Sequence, residues 1–206
     1  MSFFDNTRKP VGRGGKIMVV LMNFGHSFVA RWGLKYLKVE PNATILDCGC
    51  GGGANIKRLL KRCPNGVVKG LDYSPLCVEN SRKLNREAID EGRCMVKECS
   101  VADIKFSDGQ FDIVTAFETV YFWPSLLHCF QEVHRVLKPN GTFFICNESN
   151  GDTDKDEKWV KKINGMTIYK DIELKAVLEK AGFVEIEVHK TKCGWLCVLA
   201  KKEGLM

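Results

Sequence analysis

Ile45-Leu46-Asp47-Cys48-Gly49-Cys50-Gly51-Gly52-Gly53 is the stretch whose reading decides the fold. An apolar run ends on an acid, a glycine-dense turn follows, and a helical pattern begins at Ala54. Glycine permits positive φ and lets a ligand touch the backbone without meeting a Cβ. Open α/β sheets bind ligands outside the carboxyl ends of their strands. The turn therefore reads as a ligand cradle at the end of a first strand. A second acid, Asp72, closes the run Val67-Val68-Lys69-Gly70-Leu71-Asp72. A carboxylate there can accept hydrogen bonds from both ribose hydroxyls of an adenosine, so the two acids point to an adenosine-containing ligand.

Working outward, the chain alternates strand and helix as a βαβ series does. Strands are predicted over residues 43–47, 67–72, 94–99, 111–117 and 142–146, with a helix over residues 54–62. Ser74 and Pro75 open a helix that runs to about Glu91. Pro124 opens another, with Leu127, Phe130, Val133 and Leu137 at helical spacing. Pro139-Asn140-Gly141 forms a turn, in which Asn140 tolerates a left-handed position. A helix over residues 171–181 stops at Gly182. Two extended runs follow, 183–190 and 193–201, separated only by Thr191 and Lys192. So short a link makes a hairpin, not a crossover. The expected fold is α/β: a Rossmann-like seven-stranded, mostly parallel sheet with an antiparallel C-terminal hairpin strand and helices on both faces. Residues 41–206 form one globular domain, and residues 1–40 an N-terminal lid over the substrate site. The glycines alone are ambiguous: Gly49-x-Gly51-x-x-Ala54 fits a dinucleotide turn, Gly49-x-Gly51-x-Gly53 another. The terminal hairpin argues against a nicotinamide oxidoreductase, whose sheet continues with parallel strands.

Bulk properties narrow the class. The 206 residues, 45% hydrophobic and 27% charged, are ordinary for one globular domain. No apolar run is long enough to span a bilayer, and residues 1–9 carry an early acid with no apolar core, so membrane insertion and a signal peptide are not expected. The expected location is the cytoplasm. The ten cysteines are scattered and form no CxxC pair, which favours reduced thiols packing as small hydrophobes, and no metal is expected. The net charge of +6 is spread along helices and not gathered in a block, a pattern that makes nucleic acid an unlikely partner.

Four ordered motifs resemble the class I S-adenosylmethionine-dependent methyltransferases over roughly residues 40–201. They are 46–53, Gly70-Leu71-Asp72-Tyr73-Ser74, Phe111-Asp112-Ile113-Val114, and Glu132-Val133-His134-Arg135-Val136-Leu137-Lys138-Pro139-Asn140-Gly141-Thr142. The last is similar to a stretch of the small-molecule branch, the quinone and sterol methyltransferase-like group. The resemblance implies S-adenosyl-L-methionine as cofactor, S-adenosyl-L-homocysteine as product, and a small-molecule acceptor. It implies that Asp47 holds the methionine end, directly or through water. Gly49 and Gly51 let the cofactor lie on the backbone, with Asn55 beside them at the start of the helix. Asp72 takes the ribose and Tyr73 flanks the adenine. Ser100 and the Val101 backbone meet the adenine edge, where the family often has an acid, with Asp103 as a further candidate. Glu132 and Arg135 hold the fold together.

Two segments outside these motifs are candidates for the acceptor pocket. One is N-terminal and carries Phe24, His26 and Trp32, the last also a candidate for core packing with Tyr36 and Trp195. The other is Glu118-Thr119-Val120-Tyr121-Phe122-Trp123-Pro124, an aromatic cluster after the fourth strand. Glu118 is expected to approach the cofactor. His26, Glu118 and Tyr121 are the candidate catalytic residues, while Tyr121, Phe122, Trp123 and Asn147 join the pocket, with Glu148 on the same rim. Residues 152–162 read as a cap over the site or a solvated helix. Two other functions stay open: methylation of RNA or another nucleic acid, and a non-catalytic module that keeps the cofactor fold. The sequence leaves the acceptor and the oligomeric state open.

Overall fold

A computed structural model describes residues 10–204. Seven strands form one sheet: β1 (Thr44–Cys48), β2 (Val67–Asp72), β3 (Cys94–Glu98), β4 (Phe111–Phe117), β5 (Leu137–Asn147), β6 (Phe183–Lys190) and β7 (Leu196–Lys202). Their order is β3-β2-β1-β4-β5-β7-β6. All neighbours from β3 to β5 are parallel, and β7 inserts antiparallel between β5 and β6. This is the mostly parallel sheet with a terminal antiparallel hairpin strand expected from the sequence.

Helices cover both faces. One face packs around Phe111, Phe130, Phe143, Leu174 and Leu178, carried in part by α6 (Leu126–Val136) and α8 (Asp171–Lys180). The other packs around Ile45, Ile56, Leu59, Val78 and Phe144, closed by α2 (Ser27–Gly33), α3 (Ala54–Arg62) and α4 (Pro75–Leu84). The first described helix, α1 (Gly12–Gly25), precedes α2, α5 (Arg86–Asp90) follows α4, and α7 (Asp154–Lys162) follows β5. No described helix is long and apolar enough to cross a membrane.

Several local expectations are corrected. The helix after Pro75 breaks at Asn85, because the Asn85 amide donates to the carbonyls of Gly53 (3.1 Å) and Ser81 (2.9 Å) and ties the chain to the glycine turn. The helix after Pro124 begins at Leu126; Leu127 faces outward, and Leu126, Cys129, Phe130, Val133 and Val136 form its buried stripe. Leu137 already pairs with Phe111 in the sheet, and the Pro139-Asn140-Gly141 turn is a bulge within β5, with Asn140 at φ +63°. The hairpin loop spans residues 191–195, not two residues. Gly194 takes φ +102°, and the Thr191 hydroxyl accepts the Trp195 N–H at 3.0 Å.

All ten cysteines are free thiols, and eight are buried. Burial pushes the thiols of Cys94 and Cys77 up to about 11 and about 12, so they stay neutral and pack as apolar groups. Arg135 gathers the loop before β4. It donates to the carbonyls of Ile104 (2.8 Å) and Phe106 (2.9 Å) and to Asp108 and Glu132, and Glu132 in turn accepts the Ile104 N–H.

Candidate active site

The carboxyl ends of β1, β2 and β4 converge on the glycine turn. Gly49, Gly51 and Gly53 all have positive φ, at +72°, +53° and +81°. At Gly49 an added Cβ would lie 2.1 Å from Thr119 Oγ1, so only glycine fits. At Gly51 an added Cβ meets no protein atom within 4 Å and would project into open space. Asp72 braces the turn from the next strand: Oδ2 accepts the Gly51 N–H at 2.9 Å, and Oδ1 accepts the Ser74 N–H at 2.9 Å. Burial raises the Asp72 carboxyl above its ordinary value, against the pull of those two N–H groups.

Asp47 lies beneath the turn, 1% exposed. Its Oδ1 accepts the Thr115 hydroxyl at 2.7 Å, while Oδ2 is buried with no hydrogen-bond partner among the described residues. Burial pushes Asp47 up to about 7; the Thr115 hydrogen bond opposes that rise, the nearby Asp72 charge adds to it, and Arg58 offsets it slightly. A buried carboxylate oxygen with no donor is uncommon in a folded protein. It is the feature expected where a ligand brings the donor.

A cavity of about 340 Å³ opens at the glycine turn, and Asp47 lies buried behind it, not among its lining residues. From the predicted cofactor residues, Gly49, Gly51, Asn55, Asp72 and Tyr73 line it. Ser100, Val101 and Glu118 line it as well. Asp103 does not; it pairs with Lys105 on the surface. Of the predicted pocket residues, His26, Phe122 and Trp123 face the cavity, joined by Phe117 and Pro124.

Three predicted pocket residues lie elsewhere. Trp32 packs in the sheet-face core, 5.5 Å from Tyr36 and 5.7 Å from Trp195 between ring centroids. Its neighbour Gly33 sets that direction, because the helix sits so close to β5 that a Cβ there would lie 2.5 Å from Cys146 Sγ. Tyr121 is buried behind the wall, where its hydroxyl accepts the Ser149 N–H at 3.1 Å. Asn147 is 1% exposed and lies outside the cavity; Cys146 already faces α2, so strand alternation turns Asn147 to the opposite face. The side chain of Phe24 lies outside the described residues.

Glu118 follows β4 with φ +57°, a strained conformation for a side chain with a Cβ. Burial, then the neighbouring Glu148, hold its carboxyl well above the ordinary range. His26 Nε2 stands 4.0 Å from Glu148 Oε2, and burial lowers the imidazole despite the attraction of Glu148. His26 is therefore neutral near pH 7 and can accept a proton.

Sequence reasoning missed Arg58 and Pro10, both on the cavity wall, and gave Thr119 no role of its own within the predicted pocket segment. Arg58 sits one helical turn after Ala54, a spacing that puts both on one face of α3, and its guanidinium donates to Asn55 Oδ1 at 2.7 Å. That periodicity was the available signal. Thr119 packs against Gly49 and accepts the Trp123 indole N–H at 3.2 Å. Pro10 reaches the site through its carbonyl, which accepts the Ser74 hydroxyl at 3.2 Å, a contact no local pattern encodes.

The order of the sheet, the glycine turn and the two acids are the arrangement that the sequence resemblance implied. The family described as "Methyltransferase domain" matches residues 46–145 of this chain. It is 31% identical over 130 residues to cycloartenol-C-24-methyltransferase of Arabidopsis thaliana, covering 63% of this chain and 38% of the relative. It is 31% identical over 116 residues to 2-phytyl-1,4-naphtoquinone methyltransferase of a Nostoc strain, covering 56% of this chain and 51% of the relative. The chain thus spans about half or less of the length of these curated relatives. Among solved structures, the complex between the Haloferax volcanii Trm112 methyltransferase activator and a methyltransferase contains a similar chain. Its TM-score is 0.81 at 22% identity, covering 92% of this chain and 95% of that one. Geranyl diphosphate C-methyltransferase of Streptomyces coelicolor, solved with S-adenosyl-L-homocysteine, gives 0.72 at 18% identity, covering 85% and 76%.

Proposed function

We propose that the protein transfers the methyl group of S-adenosyl-L-methionine to a small-molecule acceptor. The observation that carries this is the pairing of an orphaned, buried Asp47 Oδ2 with a Gly51 that opens onto empty space, both beside Asp72. When bound, S-adenosyl-L-methionine supplies an electrophilic methyl group on a positively charged sulfur.

Each wall of the cavity has a defined task. Asp72 takes the ribose hydroxyls, and its bond to the Gly51 N–H keeps it aimed along the turn. Tyr73, Ser100 and Val101 flank the adenine side. Asp47, behind the glycine turn, offers its unpartnered oxygen to the ammonium of the methionine end, and Arg58 on the cavity wall can meet its carboxylate. Phe117, Phe122, Trp123 and Pro124 exclude water around the transferring group. Alignment and exclusion of water are the main accelerating effects open to such a site. The relatives named above act on a sterol, a naphthoquinone and geranyl diphosphate by their names, which supports a small acceptor here.

Of the predicted lid 1–40, residues 10–40 act as the lid in this reading, since Pro10 and His26 reach the cavity wall, and residues 1–9 lie outside the described residues. The test is calorimetry with S-adenosyl-L-homocysteine on the intact chain. Binding that falls at least tenfold in Asp72→Ala supports the reading, and absence of binding to the unaltered protein defeats it.

A further inference from the structure

A polar cluster stands at one end of the cavity, where His26 and Glu118 line it and Glu148 lies beside them. His26, Glu118 and Glu148 each contribute one atom, and the three atoms all lie within 4.8 Å of one another. They come from three places: the turn before α2, the residue after β4 and the residue after β5. In the sheet, β1 stands between β2 and β4, so Glu118 is two strand spacings, roughly 10 Å, from Asp72. The cluster therefore sits on the acceptor side of the cradle.

Glu118 already accepts from the Tyr121 hydroxyl and the Glu148 backbone N–H, and its second oxygen stays open. Glu118 Oε1 is buried and has no hydrogen-bond partner among the described residues, although the backbone holds an unfavourable φ to put it there. Two facing carboxylates repel each other unless a cation lies between them. The His26–Glu148 distance fits two acceptors of one ammonium and is wider than that between adjacent ligands on a small metal ion. Adjacent ligands on a small divalent ion, at about 2.1 Å from it, lie about 3 Å apart. Acceptors of one N–H-bearing nitrogen, each at about 2.9 Å, lie about 4–4.7 Å apart. His26 Nε2 and Glu148 Oε2 are 4.0 Å apart, the ammonium spacing. A primary ammonium offers three N–H donors, and the cluster offers three acceptors. Phe122 and Trp123, on the same cavity wall, suit the carbon body of such a molecule and add attraction for its charge.

We propose that the acceptor is a primary amine, held as its ammonium by His26, Glu118 and Glu148 and methylated on nitrogen. This rests on the methyl-transfer reading above. Neutral His26 takes one proton from the ammonium, leaving a nitrogen lone pair. The amine nitrogen then forms the N–C bond to the methyl group as the C–S bond breaks, its electron pair staying on sulfur. The products are the secondary methylammonium, S-adenosyl-L-homocysteine and protonated His26, which returns its proton to solvent. Glu148 stands beside the imidazolium and offsets its charge.

The test titrates benzylamine, phenethylamine and ethanolamine, with benzyl alcohol, phenol and ethanethiol as counterparts, into the protein saturated with S-adenosyl-L-homocysteine. Turnover of the same panel is followed with S-adenosyl-L-methionine. An amine that binds and is methylated, with Glu148→Gln weakening its binding and raising its KM at least tenfold while the affinity for S-adenosyl-L-homocysteine stays within twofold, supports the proposal. Methylation confined to the oxygen or sulfur compounds overturns it. So does micromolar Mn²⁺ binding, read by electron paramagnetic resonance, that Glu148→Gln abolishes and amines do not displace. If S-adenosyl-L-homocysteine binds but no amine does, the amine proposal falls and the methyl-transfer reading stands; if S-adenosyl-L-homocysteine itself does not bind, both fall.

Discussion

The Thr115 hydroxyl donates to Asp47 Oδ1 at 2.7 Å, and this one bond leaves the other oxygen of the same carboxylate buried and without a donor. The link joins the ends of β1 and β4, so the acid is fixed in place before any ligand arrives. A rigid, half-satisfied carboxylate gives up little further order when a ligand cation meets it.

That arrangement makes the ligand-free protein sensitive to pH. Asp47 rises from an ordinary 3.8 to about 7 on folding. A raised carboxyl stabilises the fold while it is protonated. Its contribution is full below about 4, falls as pH climbs, and is gone above about 7. The gap corresponds to roughly 4 kcal/mol at most. Asp72 and Glu118 shift in the same direction. Glu132 and Asp171, lowered by Arg135 and Lys190, act oppositely, but only as pH falls below the ordinary carboxylate range. Urea midpoints should therefore be higher at pH 5 than at pH 8, with Asp47→Asn narrowing the difference. A midpoint that rises toward pH 8 contradicts the account.

Gly49 and Gly51 separate folding from binding. In Gly49→Ala the new methyl collides with Thr119 and the residue must keep φ +72°. A loss of about 2–4 kcal/mol follows from strain and displacement together. Gly51→Ala meets only open space, so its cost is about 1–2 kcal/mol, from the left-handed backbone alone. Thermal unfolding should rank them in that order, while both lose at least tenfold in affinity for S-adenosyl-L-homocysteine. Equal stability of the two variants counts against the close Thr119 contact.

Arg135 is a structural residue. Its guanidinium binds two carbonyls and two carboxylates across the loop before β4, and its side chain is 31% exposed. Arg135→Ala should cost about 2–3 kcal/mol, as expected when several partly buried acceptors lose a charged donor. Arg135→Lys should recover less than half, because an ammonium cannot serve that planar set of acceptors. Chemical denaturation measures both. Full recovery by lysine would show that charge alone matters.

Most of the sheet was legible because its signals are local. The alternation of apolar runs with helical spacing placed β2 and β4 at their observed limits, and the short link after Lys190 announced the hairpin. The two acids and the glycines were legible because strand ends and tight turns restrict residue type. The departures have long-range causes. Asn85 stops a helix only because Gly53 lies beside it in space, and Gly33 seats α2 on β5 and so takes Trp32 away from the cavity. Tyr121 reads like its neighbours Phe122 and Trp123, yet its hydroxyl is claimed by the Ser149 backbone behind the wall. His26, Glu118 and Glu148 were each named from the sequence, but they come from three distant segments, and no spacing along the chain shows that their atoms lie within 4.8 Å of one another.

Cofactor binding should also move a proton. A ligand ammonium beside Asp47 favours its ionised form, so S-adenosyl-L-homocysteine binding at pH 6 should release a proton. Calorimetry in two buffers of different ionisation enthalpy reads this directly, and Asp47→Asn should abolish the difference. Proton uptake contradicts the assignment.

Titration of S-adenosyl-L-homocysteine into the unaltered protein and into Asp72→Ala tests the central claim most directly. The account predicts one site per chain, with affinity at least tenfold weaker in the variant although the variant remains folded. Equal affinity in the two proteins, or no binding to either, contradicts it.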